Sequence, residues 1–214
     1  MTRRRRAKLV FKRLNKKYSK FPSTGLKNWK GSWQFLFCVI LSAQTTDEQI
    51  NKIAKHLFRK FKTIKAFAEA PTKDIEKQIK SAGFFRVKAR YLKKSAIGIL
   101  TNFKGKVPRG IEELVELPGV ARKTANVYQQ VIFNKSEGIA VDTHVARMSR
   151  RLNLSRRKSA NHIEQDLMKI FPKSKYHRIN PILFWHGRTI CLARKPQCEK
   201  CNLNDFCPSA FTLN

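Results

Sequence analysis

Four cysteines near the carboxyl end, Cys191, Cys198, Cys201 and Cys207, are separated by six, two and five residues. Thiolates this close can form a tetrahedral site, and their spacing alone leaves zinc and a four-iron cluster both open. Two further residues could carry covalent chemistry: Lys123 in LPGVARKTAN and Asp142 in AVDTHVAR. A neutral amine attacks electrophilic carbon and can hold it as a Schiff base, while a carboxylate can face the resulting cation and move protons. The bland readings are a surface lysine in a lysine-rich chain and a helix-capping aspartate.

The elements around these residues sharpen the choice. Residues 114–128 read LVELPGVARKTANVY, a short amphipathic segment, a Leu-Pro-Gly-Val turn and a second helix opening near Ala121. This is a helix-hairpin-helix pattern: Gly119 permits the tight turn, and the free amides opening the second helix can bind a phosphate without reading a base. Arg122 stands beside those amides. Lys123 falls in the first turn, where the positive helix end and neighbouring cations disfavour a further positive charge. Pro-Gly between helices is also an ordinary turn, so the hairpin by itself argues for backbone binding and not for catalysis. Asp142 is placed to cap a helix starting at Thr143, a role geometrically compatible with catalysis.

Elsewhere a helix is expected from Thr46 or Asp47, with Ile50, Ile53, Ala54, Leu57, Phe58 and Phe61 on one stripe. Similar patterns run from Arg86 to Phe103 and from Ser159 to Phe171, and Pro181 suits a first helical turn. No stretch alternates at period two, so the fold class is all-α, of about ten helices.

Lys and Arg total 46 against 14 Asp and Glu, a net charge of +32. Neither a neutral partner nor a small metabolite calls for that density, whereas a polyanion such as nucleic acid does. On such a partner the Lys123 amine could attack C1′ of a damaged nucleotide, expel the base and hold the sugar. Twelve Lys or Arg precede the first acidic residue, Asp47. The basic start resembles a DNA arm or an address signal, but Leu9, Val10, Leu14 and Tyr18 recur at helical spacing and favour a partly docked helix. The longest apolar run, Trp33 to Ala43, is too short for a bilayer span, and an intracellular protein without membrane contact is expected. There the clustered cysteines read as a metal site before a disulfide framework, and the solitary Cys38 as core. Nothing signals an oligomer, so a monomer is expected.

LPGVARKTAN followed by VDTHVAR resembles the endonuclease III family, the bifunctional branch of the helix-hairpin-helix DNA glycosylases, over about Leu41 to Pro208. The resemblance implies a two-lobed DNA glycosylase and abasic-site lyase with Lys123 as nucleophile and Asp142 as its carboxylate partner. Damaged double-stranded DNA is the implied partner, oxidised pyrimidines and abasic sites the implied substrates, and β-elimination on the 3′ side the implied cleavage. The segment HGRTICLARKPQCEKCNLNDFCP is similar to the family's [4Fe-4S] terminus, which selects the iron cluster over zinc and places Arg194 and Lys195 at DNA phosphates. LSAQTTD matches the stretch whose glutamine enters the vacated base stack, here Gln44, and Gly83-Phe84-Phe85 the loop supplying an apolar wedge, here Phe84. Ala121 departs from the pattern, since the family usually has a second hairpin glycine there; its methyl bears on phosphate approach. The implied lobes are residues 22–135, a helical barrel with the hairpin at about 111–133, and residues 1–21 with 136–214, around the cluster, with DNA lying across the cleft between them. Another lesion, such as a pyrimidine dimer or mismatch, and a noncatalytic iron-sulfur DNA-binding protein are the alternatives.

Overall fold

A computed structural model describes residues 1–212. Every regular element in it is helical. The α-helices are α1 (Arg3–Lys17), α2 (Ser32–Leu41), α3 (Asp47–Lys60), α4 (Ile64–Glu69), α5 (Thr72–Ile79), α6 (Phe85–Thr101), α7 (Ile111–Val115), α8 (Arg122–Ile132), α9 (Thr143–Arg151), α10 (Ala160–Ile170) and α11 (Tyr176–Thr189). Short 3-10 turns occur at Lys173–Lys175 and Cys198–Lys200. Side-chain caps fix several starts: Thr46 accepts from the Gln49 amide at 3.3 Å and Ser159 from the His162 amide at 3.3 Å, each satisfying a donor that the first turn leaves free. Among the described residues no helix is long and apolar enough to cross a membrane.

Pro181 departs from expectation. It lies inside α11, not at its first turn. The 3-10 turn before Tyr176 starts the helix earlier, and burial of Pro181 together with Ile182 and Leu183 offsets the backbone bond that proline cannot make.

The contacts divide the chain into two compact units, Thr24–Tyr128 and, discontinuous in sequence, Met1–Ser23 with Gln129 onward; the division falls inside α8. In the continuous unit α6 packs against α2, α4 and α5. Its core includes Phe35, Phe37, Leu57, Phe67, Leu92 and Cys38, all fully buried, with Phe37 and Phe67 edge to face at a centroid distance of 5.0 Å. Burial pushes the Cys38 thiol up to about 12, which keeps it an inert apolar group at neutral pH. In the other unit α11 packs against α9 and α1, around Ala7, Val10, Leu14, Val145, Met148, Leu167 and Ile179. The basic amino-terminal helix is thus a core element, with its apolar stripe inward.

Candidate active site and metal centre

In the continuous unit the hairpin consists of α7, the turn through Pro118 and Gly119, and α8. Glu113 reaches back to the Gly110 amide at 3.3 Å, which secures the start of α7. Ser95 of α6 donates to the Pro118 carbonyl at 2.7 Å, and Leu117 and Val120 are buried on either side of the bend, so the turn is pinned to the core. Gly119 has φ +83°, and a Cβ there would stand 2.9 Å from Tyr91 Cδ2 and 3.1 Å from Ile40 Cγ2; only glycine suits both the conformation and the space. Ala121 is exposed and lacks the left-handed backbone of Gly119, so its methyl brings no strain. Arg122 and Lys123 follow, both exposed in the first turn of α8. The amine that the sequence singles out is therefore accessible on a rigidly held element.

Two loops of the same unit present Gln44 and Phe84. Both are non-glycine residues in the left-handed region, at φ 54° and 57°, both are exposed, and Phe84 is 65% so. The reading of Phe84 as a core aromatic is thereby excluded. Ile40, Gln44, Phe84, Val87, Lys88, Tyr91 and Gly119 line one surface depression, so the structure brings the two candidate fillers and the hairpin turn together.

In the other unit Asp142 caps α9, its Oδ1 accepting from the Val145 amide at 2.8 Å. Its side chain is half-buried, beside the buried Val141. Arg147, one turn on, donates to the carbonyl of Gly187 at 2.6 Å and, through Nε, to that of Cys191 at 3.2 Å. It ties α9 to α11 and to the cysteine segment.

Cys191, Cys198, Cys201 and Cys207 line a single pocket, with Arg151, Ile190 and Pro196 among its other walls. Among the described residues no three metal-ligating side chains converge on one single-ion position. Four sulfurs lining a shared space suit a four-iron cluster, in which each iron takes one thiolate. Donors surround the sulfurs. Arg151 Nη1 lies 3.2 Å from Cys191 Sγ and also donates to Leu192 O at 2.6 Å. His186 Nε2 is 3.3 Å from Cys201 Sγ, and its Nδ1 is 3.0 Å from the Tyr18 hydroxyl. Burial, with the neighbouring Lys17 charge, pushes His186 down to about 4, so the imidazole is neutral. Arg194 and Lys195 are exposed on the loop before Cys198, Lys195 with φ 49°.

Residues 37–173 match the family model of the HhH-GPD superfamily of base excision DNA repair proteins, and residues 191–207 match the iron-sulfur binding domain of endonuclease III. Endonuclease III of Synechocystis sp. is 45% identical over 177 residues, covering 83% of this chain and 81% of that protein. Endonuclease III of Bacillus subtilis is 40% identical over 176 residues, covering 82% and 80%. The chain belongs to the endonuclease III family. A solved structure of a trapped endonuclease III–DNA covalent intermediate superposes with a TM-score of 0.90 at 36% identity, covering 98% of both chains.

An endonuclease III terminus of this kind carries a [4Fe-4S] cluster, and the four cysteines that line one pocket are the candidate ligands. The supporting shell is less legible in sequence. Arg151 and Tyr18 lie far from the cysteines along the chain, so nothing local marks them. Lys88 gives one signal: it occupies a buried stripe of α6 with Leu92, Ser95, Ala96 and Ile99, where a lysine is out of place.

Proposed function

We propose that this endonuclease III family member is a DNA glycosylase and abasic-site lyase that excises oxidised pyrimidines from duplex DNA and nicks the strand through a Lys123 Schiff base. The observation that carries the reading is the exposed Lys123 in the first turn of the hairpin's second helix, where amides that bind a phosphate and an amine that attacks the adjacent sugar belong to one element. The neutral Nζ adds to C1′, the C1′–N bond breaks, and its electron pair leaves with the base. The added nitrogen gives up one proton, which the departing base takes, and the C1′–O4′ bond breaks with O4′ taking a proton, giving the open-chain iminium. This loses a proton from C2′, and the C3′–O bond breaks, its electron pair leaving with the phosphate on the 3′ side. The Asp142 carboxylate faces the cationic sugar and assists these proton transfers. Gln44 and Phe84 occupy the stack when the nucleotide is extruded, and Arg122, Arg194 and Lys195 meet phosphates. When bound, the cluster crosslinks the carboxyl-terminal segment that presents Arg194 and Lys195; the covalent chemistry requires no Lewis acid.

Borohydride trapping on abasic duplex DNA tests the mechanism. A covalent adduct is expected with the wild type and none with Lys123→Ala; an undiminished adduct in the variant defeats the lyase assignment. A panel of defined lesions in otherwise identical duplexes tests the substrate, with oxidised pyrimidines expected to be excised fastest and a preference for pyrimidine dimers or mismatches overturning that part.

A further inference from the structure

Lys88 is 4% exposed, and the covalent chemistry makes no use of it. Its ammonium donates to Leu41 O at 2.8 Å, Ala43 O at 2.6 Å and Thr45 Oγ1 at 2.9 Å. These acceptors are neutral, they take up all three N–H bonds, and they bracket Gln44. The Leu41 carbonyl belongs to the last turn of α2, where the helix dipole favours a cation. Burial lowers the lysine's affinity for its proton, so the charge is held there against a desolvation cost.

The backbone of the same residue serves the second loop. Lys88 N–H donates to the Phe84 carbonyl at 3.1 Å, closing the first turn of α6 behind Phe84. The two loop tips are also in close packing, since a Cβ on Gly83 would lie 3.2 Å from the Gln44 carbonyl. Left-handed backbone at a non-glycine residue persists only where its surroundings fix it, and here two such residues are fixed from one neighbour. We propose that Lys88 is a positioning residue that locks the loops carrying Gln44 and Phe84 to each other, so that both enter the duplex as one preformed wedge. This rests on the reading of Gln44 and Phe84 as the groups that fill the vacated stack. An aliphatic side chain can occupy the volume of Lys88 but leaves buried carbonyls unpaired, and the loops must then be ordered at the moment of DNA binding.

The test uses the intact holoenzyme on duplexes with 2-aminopurine stacked beside the lesion, whose fluorescence rises when the stack is opened. Wild type, Lys88→Met, Lys88→Arg and Thr45→Val are compared in fluorescence amplitude, in single-turnover excision, and in borohydride trapping on a single-stranded abasic oligonucleotide, which has no stack to open. Lys88→Met is expected to lose most of the fluorescence rise and about tenfold or more in duplex excision, with single-stranded trapping retained, and Lys88→Arg to recover part of both losses. Thr45→Val, which removes one acceptor of three, is expected to fall about fivefold. It decides the matter if Lys88→Met does not fold: a wild-type signal in Thr45→Val overturns the proposal. Wild-type fluorescence and excision in a folded Lys88→Met overturns it as well, and so does equal loss on duplex and single strand, which marks a merely structural role. If the wild type itself gives no fluorescence rise, the intercalation reading fails, and the proposal with it.

Discussion

At Asp142 the carboxylate already has a structural use, accepting from the Val145 amide at the start of α9. Asn caps a helix about as well as Asp, whereas Ala costs about 1 kcal/mol. Asp142→Asn is therefore expected to unfold at the wild-type temperature but to lose about 100-fold or more in single-turnover excision, and Asp142→Ala to lose both activity and stability. Equal activity in Asp142→Asn and wild type reduces the residue to a cap. In sequence, local pattern marks the candidates, Lys123 after a Pro-Gly bend, Asp142 before a helix start and the cysteines by spacing, while their proposed roles come from the family resemblance. Lys88 is legible only in part, for a physical reason. Its place on the apolar stripe of α6 marks it as unusual, but its three acceptors lie more than 40 positions away along the chain, so what it holds emerges only in the fold.

The helices themselves were readable wherever a stripe and a cap coincide, as at Thr46 for α3, Ser159 for α10 and Asp142 for α9. Pro181 lies inside α11 and not at its first turn because packing of the helix outweighs the local preference of proline. The hairpin turn gives a sharper test of element-scale physics. Gly119→Ala must hold a methyl at φ +83° against Tyr91 and Ile40, and a loss of about 2 kcal/mol or more in urea unfolding is expected, with DNA affinity falling as the turn shifts. A neutral outcome means the turn is not pinned. The amino-terminal helix is recognised by its stripe, and the family resemblance, not any local signal, groups it with the carboxyl half. Arg13 pairs with Asp205, Nη2 to Oδ2 at 2.8 Å, and donates to the Asn202 carbonyl at 2.7 Å, and Leu14 is fully buried. Leu14→Ala is expected to cost about 2–5 kcal/mol and, measured by iron content after purification, to lower cluster occupancy.

For the molecule as a whole, the net charge of +32 makes binding a counter-ion-release process. If about six phosphates are neutralised, affinity is expected to fall by about a thousandfold between 50 and 200 mM salt; fluorescence anisotropy on undamaged duplex measures this, and a shallow slope means that most of the cations face away from DNA. Cys201→Ser, which removes one of the four candidate cluster cysteines, is expected to give a protein of reduced colour and lowered melting temperature. The all-helical class follows from the absence of period-two patterning. The pairing of residues 1–23 with those from 129 onward does not, because no local signal records that α1 is buried against α11. That discontinuity sets an order of events during synthesis. Thr24–Tyr128 is contiguous and can fold as it emerges from the ribosome, whereas α1, which precedes it, packs against α10 and α11, which follow it. Its apolar stripe stays exposed meanwhile, and because the four cysteines follow α11, the pocket they line forms only after the helices of that unit are made.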